Sequence, residues 1–346
     1  MFNRILGKFS KDIGIDLGTA NTLVHVANRG IVINEPSVVA INNNTNQILA
    51  VGAEAKKMVG KTPSHIVAIR PLRDGIISDF EVAEKMIKYF IDKVHKESFT
   101  LLPRPRVVIG VPLQITEVER KAVEDATLSA GAREVYLIEE AMASAIGARL
   151  PVQDAGGNLI VDIGGGTTDI AVISLGGLVV SKSLKIAGDE LNENIINYIR
   201  ENFNVLIGER QAENVKIKIG SAMETKDENM EMLVCGRDLI SGLPKEILIT
   251  APQARHAIIR SVNTIVESIK SILEQTPPEL VADIFQRGVI LSGGGALLKG
   301  LDRLIAGQFH IPVKIADDPL TNVVRGTGII LEEIELLKEV ALSSAE

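Results

Sequence analysis

Val161-Asp162-Ile163-Gly164-Gly165-Gly166-Thr167-Thr168-Asp169 forms the centre of the stretch from Asn158 to Val180. An apolar lead-in (Leu159, Ile160, Val161) runs into a carboxylate, three glycines and two hydroxyls, and a second apolar run follows from Ile170 to Leu175. The pattern predicts strand, tight turn, strand, because glycine supplies the positive φ that hairpin turns need. With no Cβ atoms in the way, the N–H groups of Gly164, Gly165 and Gly166 can close on an anion as a phosphate-binding nest. Asp162, at the strand end, is placed to hold a hydrated Mg2+ through water. An ordinary glycine hairpin has the same signature, so this stretch alone leaves both readings open.

The pattern recurs near the N-terminus as Ile13-Gly14-Ile15-Asp16-Leu17-Gly18-Thr19-Ala20-Asn21-Thr22-Leu23-Val24. Aligned without gaps, Asp16 falls on Asp162, Gly18 on Gly164, Thr22 on Thr168 and Val26 on Val172. A looser pair joins them: Val107-Val108-Ile109-Gly110-Val111-Pro112 and Val289-Ile290-Leu291-Ser292-Gly293-Gly294-Gly295 are both apolar strands ending in a turn, each followed by a helical pattern. Two copies of one β-rich unit predict two like-folded α/β halves facing across a cleft. Each half would then offer a hairpin and a carboxylate to one polyphosphate, clamping ATP and Mg2+.

Composition sets bounds. At 346 residues the chain exceeds one typical core and suits two domains. Hydrophobic residues make up 46%, with no low-complexity tract, so both can be globular. A net charge of -7 argues against a nucleic-acid binder. The one cysteine, Cys235, cannot form an internal disulfide, which fits a reducing cytosol. The five histidines show no metal-ligand spacing, so no protein-ligated zinc site is expected. No apolar run reaches the roughly 18 residues of a membrane span, and no signal-peptide core is present.

Two apolar clusters stand apart from the core pattern. Phe2, Ile5, Leu6 and Phe9 fall at i, i+3, i+4 and i+7, with Arg4, Lys8 and Lys11 on other faces. This is a short amphipathic helix with basic flanks, lying either in a membrane interface or against the protein body. Phe99, Leu101 and Leu102 sit between Lys96-Glu97 and Pro103-Arg104-Pro105. Prolines and charges mark a loop, and apolar loop residues point to a membrane or protein contact.

Along the chain, Ile31 to Ile41 reads as one strand around Asn34-Glu35-Pro36, followed by a turn at Asn42-Asn43-Asn44 and another strand. Asp79 caps a helix to Lys96, and Thr116 with Glu119 forms a capping box for a helix to about Ala130 that carries Val118. Val135 to Ile138 leads as a strand into Glu139-Glu140-Ala141-Met142-Ala143-Ser144-Ala145, a small-residue helix suited to a close crossing between domains. Glu139 and Glu140 either complement the helix dipole, or Glu140 reaches the cleft to orient or deprotonate an attacking water, which Thr167 would also bond. Helices are expected from Gly188 to about Phe203, Gln211 to Ile219 and Ala254 to Glu274, with a charged amphipathic tail from Leu331 to Val340. Glu213 and Lys216 share a face as a surface ion pair, or serve a ribose and an adenine respectively.

Ser292-Gly293-Gly294-Gly295-Ala296-Leu297-Leu298-Lys299-Gly300 is not a P-loop, because Leu301 and Asp302 follow Gly300 where Lys and Ser/Thr are required. It reads as a glycine turn opening a helix whose N–H groups suit a phosphate or the sugar and base of a nucleotide.

Taken together, the Asp16 and Asp162 hairpins, the Glu140 helix and the Ser292–Gly295 turn resemble the five-part ATP signature of the actin superfamily. Within it, Asn34-Glu35-Pro36-Ser37-Val38-Val39-Ala40, Ile69-Arg70-Pro71-Leu72-Arg73-Asp74-Gly75, Leu206-Ile207-Gly208-Glu209, Thr276-Pro277-Pro278-Glu279-Leu280 and Ala316-Asp317-Asp318-Pro319-Leu320 resemble the MreB family of bacterial actins. The resemblance covers nearly the whole chain. It implies an actin-like α/β fold of two similar domains around an ATP cleft, each a mixed sheet with flanking helices and a smaller inserted subdomain. The implied layout is a membrane-binding segment at 1–11, domain I at 12–147 and 316–346 (insertion 33–77), and domain II at 148–315 (insertion 182–244). The nucleotide would touch Gly18, Thr19, Ala20, Asn21, Gly164, Gly165, Gly166, Thr167, Glu213, Lys216, Gly293, Gly294, Gly295 and Leu297, with Asp16 and Asp162 serving Mg2+ mainly through water.

The resemblance further implies slow ATP hydrolysis by Glu140 and Thr167, and self-assembly into antiparallel double protofilaments meeting at the Val118 helix. The filaments would lie on the cytoplasmic face of the inner membrane, through Phe2, Ile5, Leu6, Phe9, Phe99, Leu101 and Leu102, and work with membrane-bound wall-synthesis and shape proteins such as RodZ. One departure stands out: the family usually has Pro after the catalytic Glu, where Ala141 stands here. A non-polymerising ATPase, a sugar kinase or a chaperone-type ATPase is the alternative within the superfamily, but no substrate-side catalytic Asp has better credentials than Glu140 and no peptide-binding domain is evident.

Overall fold

The computed structural model describes residues 10–96, 103–333 and 340–341. It divides into two compact units, one of Met1–Ala155, Ile173–Val179 and Leu320–Glu346, the other of Gly156–Val172 and Val180–Pro319.

In the first unit β1 (Ile13–Leu17), β2 (Asn21–Val26) and β3 (Gly30–Pro36) form an antiparallel meander. β4 (Val39–Asn42) pairs with β5 (Gln47–Val51) and β6 (Ile66–Ile69) in a separate small sheet covered by α1 (Ala53–Met58), and β7 (Leu72–Arg73) pairs with β8 (Ile76–Ile77). The single strand expected over 31–41 is therefore two strands in two sheets. The break is at Ser37, whose hydroxyl donates to the Gly18 carbonyl (2.5 Å) and whose N–H donates to Ala20 (3.1 Å), turning the chain out of the larger sheet. Asp79 caps α2 (Phe80–His95), accepting from Val82 N at 3.1 Å, and Met86, Ile87, Phe90 and Ile91 bury its apolar face. β9 (Arg106–Val111), α3 (Glu117–Ser129, with the Thr116–Glu119 capping box) and β10 (Glu134–Glu139) follow, then α4 (Glu140–Gly147). β9 and β10 add in parallel beside β1, giving the order β10-β9-β1-β2-β3. Val107, Val108, Ile109 and Val111 of β9 are all buried, the near-continuous apolar pattern of a strand covered on both faces.

The second unit repeats this plan. β11 (Asn158–Ile163), β12 (Thr168–Ser174) and β13 (Gly177–Leu184) stand where β1, β2 and β3 do, and β17 (Val289–Ser292) and β18 (Val313–Ile315) add in parallel beside β11, in the order β13-β12-β11-β17-β18. Between them lie α5 (Gly188–Phe203), β14 (Val205–Leu206), α6 (Glu209–Ile219), and the hairpin β15 (Glu231–Asp238) and β16 (Pro244–Thr250). α7 (Ala251–Gln275) begins earlier than the apolar spacing predicts. Thr250 and Gln253 form its capping box, and Pro252 sits in the first turn, where a missing N–H costs nothing. α8 (Pro278–Arg287) and α9 (Leu301–Phe309) complete the layers, and one continuous core runs from Leu159 through Ile195, Ile258 and Ile265 to Leu291.

The chain then returns to the first unit as α10 (Asn322–Glu332), a helix the sequence reading did not anticipate. It packs on α4 almost backbone to backbone: a Cβ on Gly326 would run into the Ala143 carbonyl, and one on Gly147 into the Asn322 carbonyl. The small-residue helix expected to make a close crossing does so here, against a partner of its own unit. The expected tail helix over 331–340 falls largely outside the described residues.

Candidate functional site

In the first unit the β1–β2 turn is built around Asp16. A Cβ on Gly18 would stand 2.7 Å from the Asn21 carbonyl and 3.4 Å from Asp16 Oδ1, so the turn closes only with glycine there. Thr22 and Ser37 share a hydroxyl hydrogen bond of 2.9 Å beneath it. Thr19, 6% exposed, accepts from Gly75 N at 2.9 Å, which leaves its own proton to donate. Asp74 and Gly75 both hold positive φ (51° and 76°) to make that approach.

Asp16 is in parallel register with Gly110 on β9, and registered residues of neighbouring strands point to one face. Glu140, the first residue of α4, brings its Cγ to the same place: a Cβ on Gly110 would stand 3.3 Å from it. Asp16 and Glu140 therefore share one face at the end of this sheet. Ala141 is fully buried behind Glu140, in the first turn of a continuous helix. Glu139, one residue back, is half-buried; burial pushes its carboxyl above the ordinary range, and the Arg120 guanidinium pulls it partly back.

In the second unit Asp162, 7% exposed, is in parallel register with Ser292 of β17. The Gly164 N–H is used inside its own turn, donating to the Thr167 carbonyl at 2.9 Å, so it does not join the anion nest the sequence implies. The turn is docked on the start of α5: Gly188 N donates to Gly164 O (3.1 Å) and Asp189 N to Gly165 O (2.8 Å). Lys216 reaches the same point, its Nζ donating to the Gly188 carbonyl at 2.7 Å, and Glu213 lies one turn earlier on α6. Gly188 was missed by sequence reasoning; a Cβ there would stand 3.2 Å from Gly164 O and 3.3 Å from Lys216 Nζ.

Gly293 closes against Asp162. Its φ is 76°, its N–H donates to the Pro319 carbonyl at 3.0 Å, and a Cβ on it would lie 2.6 Å from Asp162 Oδ1. Gly294 to Leu297 forms a single 3-10 turn, and α9 starts only at Leu301 after Gly300 at φ 78°. The glycine run thus opens a 3-10 turn rather than a full helix, leaving Ala296 buried and Leu297 exposed.

The apolar residues Phe2, Ile5, Leu6, Phe9, Phe99, Leu101 and Leu102 lie outside the described residues. Their described flanks are joined: Arg104 N donates to Ser10 Oγ at 2.8 Å, and Arg133 bridges the Arg104 carbonyl (3.2 Å) and Asp12 (3.0 Å). Among the described residues no helix is long and apolar enough to cross a membrane, and no group of three His, Cys, Asp or Glu side chains could hold a metal ion.

The MreB/Mbl protein family model matches residues 10–339. The cell shape-determining protein Mbl of Bacillus subtilis (strain 168) is 50% identical over 335 residues, which is 97% of this chain and 100% of that protein. The cell shape-determining protein MreB of Escherichia coli (strain K12) is 51% identical over 340 residues, 97% of each chain. Among solved structures, MreB 5 of Spiroplasma citri bound to AMPPNP superposes with a TM-score of 0.89 at 41% identity, covering 94% of this chain and 97% of that one. A MamK double helical filament shares the actin-like fold at TM-score 0.79 and 23% identity, over 94% of this chain and 99% of that one.

Proposed function

Because this chain belongs to the MreB/Mbl family of actin-like proteins, we propose that it is an ATP-binding, filament-forming cell-shape protein that hydrolyses ATP slowly. It polymerises on the inner face of the cell membrane and directs wall synthesis. The repeated strand end carries this reading: in each unit a carboxylate precedes a turn and a glycine lies beside it, Gly18 by Asp16 and Gly293 by Asp162. That is the form a backbone cradle for phosphates takes.

Thr19, Ala20 and Asn21 serve the phosphates from one hairpin, and Gly165, Gly166 and Thr167 from the other. Glu213 and Lys216 serve the adenosine with Gly293, Gly294, Gly295 and Leu297. The donor set fits Mg2+ rather than zinc or calcium, since two separate carboxylates and no three-acid cluster among the described residues match an ion that keeps its waters and takes phosphate oxygens. When bound, the ion would neutralise phosphate charge, with Asp16 and Asp162 holding its waters. Glu140 orients and deprotonates the attacking water, helped by Thr167.

Polymerisation is supported by the family and by Val118, an apolar residue 80% exposed on the first turn of α3, which suits the surface where antiparallel protofilaments meet. Membrane attachment is supported by the Ser10–Arg104 hydrogen bond, which joins the described flanks of the two apolar stretches. The test is negative-stain imaging of the purified protein on lipid vesicles with and without MgATP, alongside phosphate release. Nucleotide-dependent double filaments on the lipid are expected; a monomer that neither binds ATP nor coats vesicles would overturn the proposal.

A further inference from the structure

We propose that Gly110 and Val323 are positioning residues for Glu140, setting the side-chain rotamer that delivers its carboxylate; this rests on the reading that Glu140 acts on the attacking water. The gap left by the missing Cβ of Gly110 is filled from two sides, by Glu140 Cγ and by Val323 Cγ1, which would stand 3.3 Å and 3.0 Å from a Cβ placed there. The position of Cγ defines χ1 of Glu140, so a Cβ at position 110 would press on that rotamer and on Val323 by a few tenths of an ångström.

Backbone conformation does not explain this glycine. Gly110 lies inside β9 and is not among the residues with positive φ, so alanine would fit its backbone. Glycine inside a strand weakens it, and its usual reason is the close approach of another group. The approaching groups here are the hydrolytic side chain and one stiff neighbour. Val323 is 8% exposed and β-branched, hence restricted at χ1. Its helix is fastened to α4 at two backbone contacts, Asn322 against Gly147 and Gly326 against Ala143. Val323 therefore acts as a fixed stop, placed by α10, for a residue presented by α4.

The test is single-turnover phosphate release and ATP-analogue affinity of the full chain carrying Gly110→Ala, Val323→Ala, both together, or Val323→Thr. Gly110→Ala should slow release about tenfold, the scale of a displaced reacting group, with ATP affinity within about twofold. Val323→Ala should slow release by loosening Glu140, and the double variant should recover most of the wild-type rate because the added methyl occupies the space of the lost Cγ1. Val323→Thr keeps the branched shape, so it should lower the melting temperature while leaving release unchanged, which a merely structural role would not do. Wild-type release by Gly110→Ala, or a double variant as slow as the product of the singles, would overturn the inference. If Glu140→Ala itself releases phosphate at the wild-type rate, the assignment of Glu140 fails instead.

Discussion

Gly293 leaves no room for a side chain beside Asp162: a Cβ on it would stand 2.6 Å from Asp162 Oδ1, and Gly293 holds φ 76° and ψ 171°, a region open almost only to glycine. Two independent constraints thus place glycine beside the acidic strand end of the second unit. Gly293→Ala is expected to destabilise the protein by about 1–3 kcal/mol and to weaken MgATP binding by displacing Asp162. Urea unfolding and calorimetric titration check both. Wild-type affinity in a variant that folds would separate Gly293 from the site.

Glu140→Ala should leave ATP binding nearly intact and slow phosphate release about 10²-fold or more, the usual contribution of a general base. Its Cγ lies beside Gly110 at the end of β9, and the loss should be read in turnover with the melting temperature measured alongside. Unchanged turnover would remove Glu140 from that role.

Glu139 makes stability depend on pH. Burial raises its folded-state pKa, with Arg120 opposing. A raised carboxyl binds its proton more tightly when folded, so its contribution to stability is present below the unfolded value of about 4.3 and is lost as pH rises through the folded value. Glu139→Gln should therefore melt higher than wild type at pH 7 to 8, with the gap closing near pH 4. Melting curves across that range decide it; a variant that melts lower at pH 8 would show the Arg120 attraction outweighing burial.

Much of this architecture is legible in the residues, and the exceptions have physical reasons. The two acidic hairpins declare themselves because glycine, aspartate and threonine recur at matched positions, and even the loose match of Val107–Pro112 with Val289–Gly295 corresponds to equivalent strands β9 and β17. α10 was not legible: Gly326, Thr327 and Gly328, with Val323 and Val324, give it poor intrinsic helix propensity. It is a helix because its glycines let it lie against α4 and β1, where a Cβ on Gly14 would meet Thr327 Oγ1 at 2.6 Å. Gly110 and Gly188 were overlooked for a related reason. Neither has positive φ, so their purpose is room for a neighbour, which only three dimensions reveal.

Substituting Phe2, Ile5, Leu6 and Phe9 by polar residues should weaken cosedimentation with liposomes, each buried side chain contributing about 1.5–3 kcal/mol. Since Arg104 and Ser10 join the two stretches at their bases, polar replacement of Phe99, Leu101 and Leu102 should weaken the same binding. Equal binding by both variants would count against the anchor.

In the proposed function both acidic hairpins serve one metal-bound nucleotide. Calorimetric titration of MgATP into wild type, Asp16→Ala and Asp162→Ala tests it most directly. One nucleotide per chain is expected, bound in a magnesium-dependent way, with each substitution weakening that single event by about tenfold or more, at 1.4 kcal/mol per decade. Either variant binding MgATP with wild-type affinity and the same magnesium dependence would contradict it.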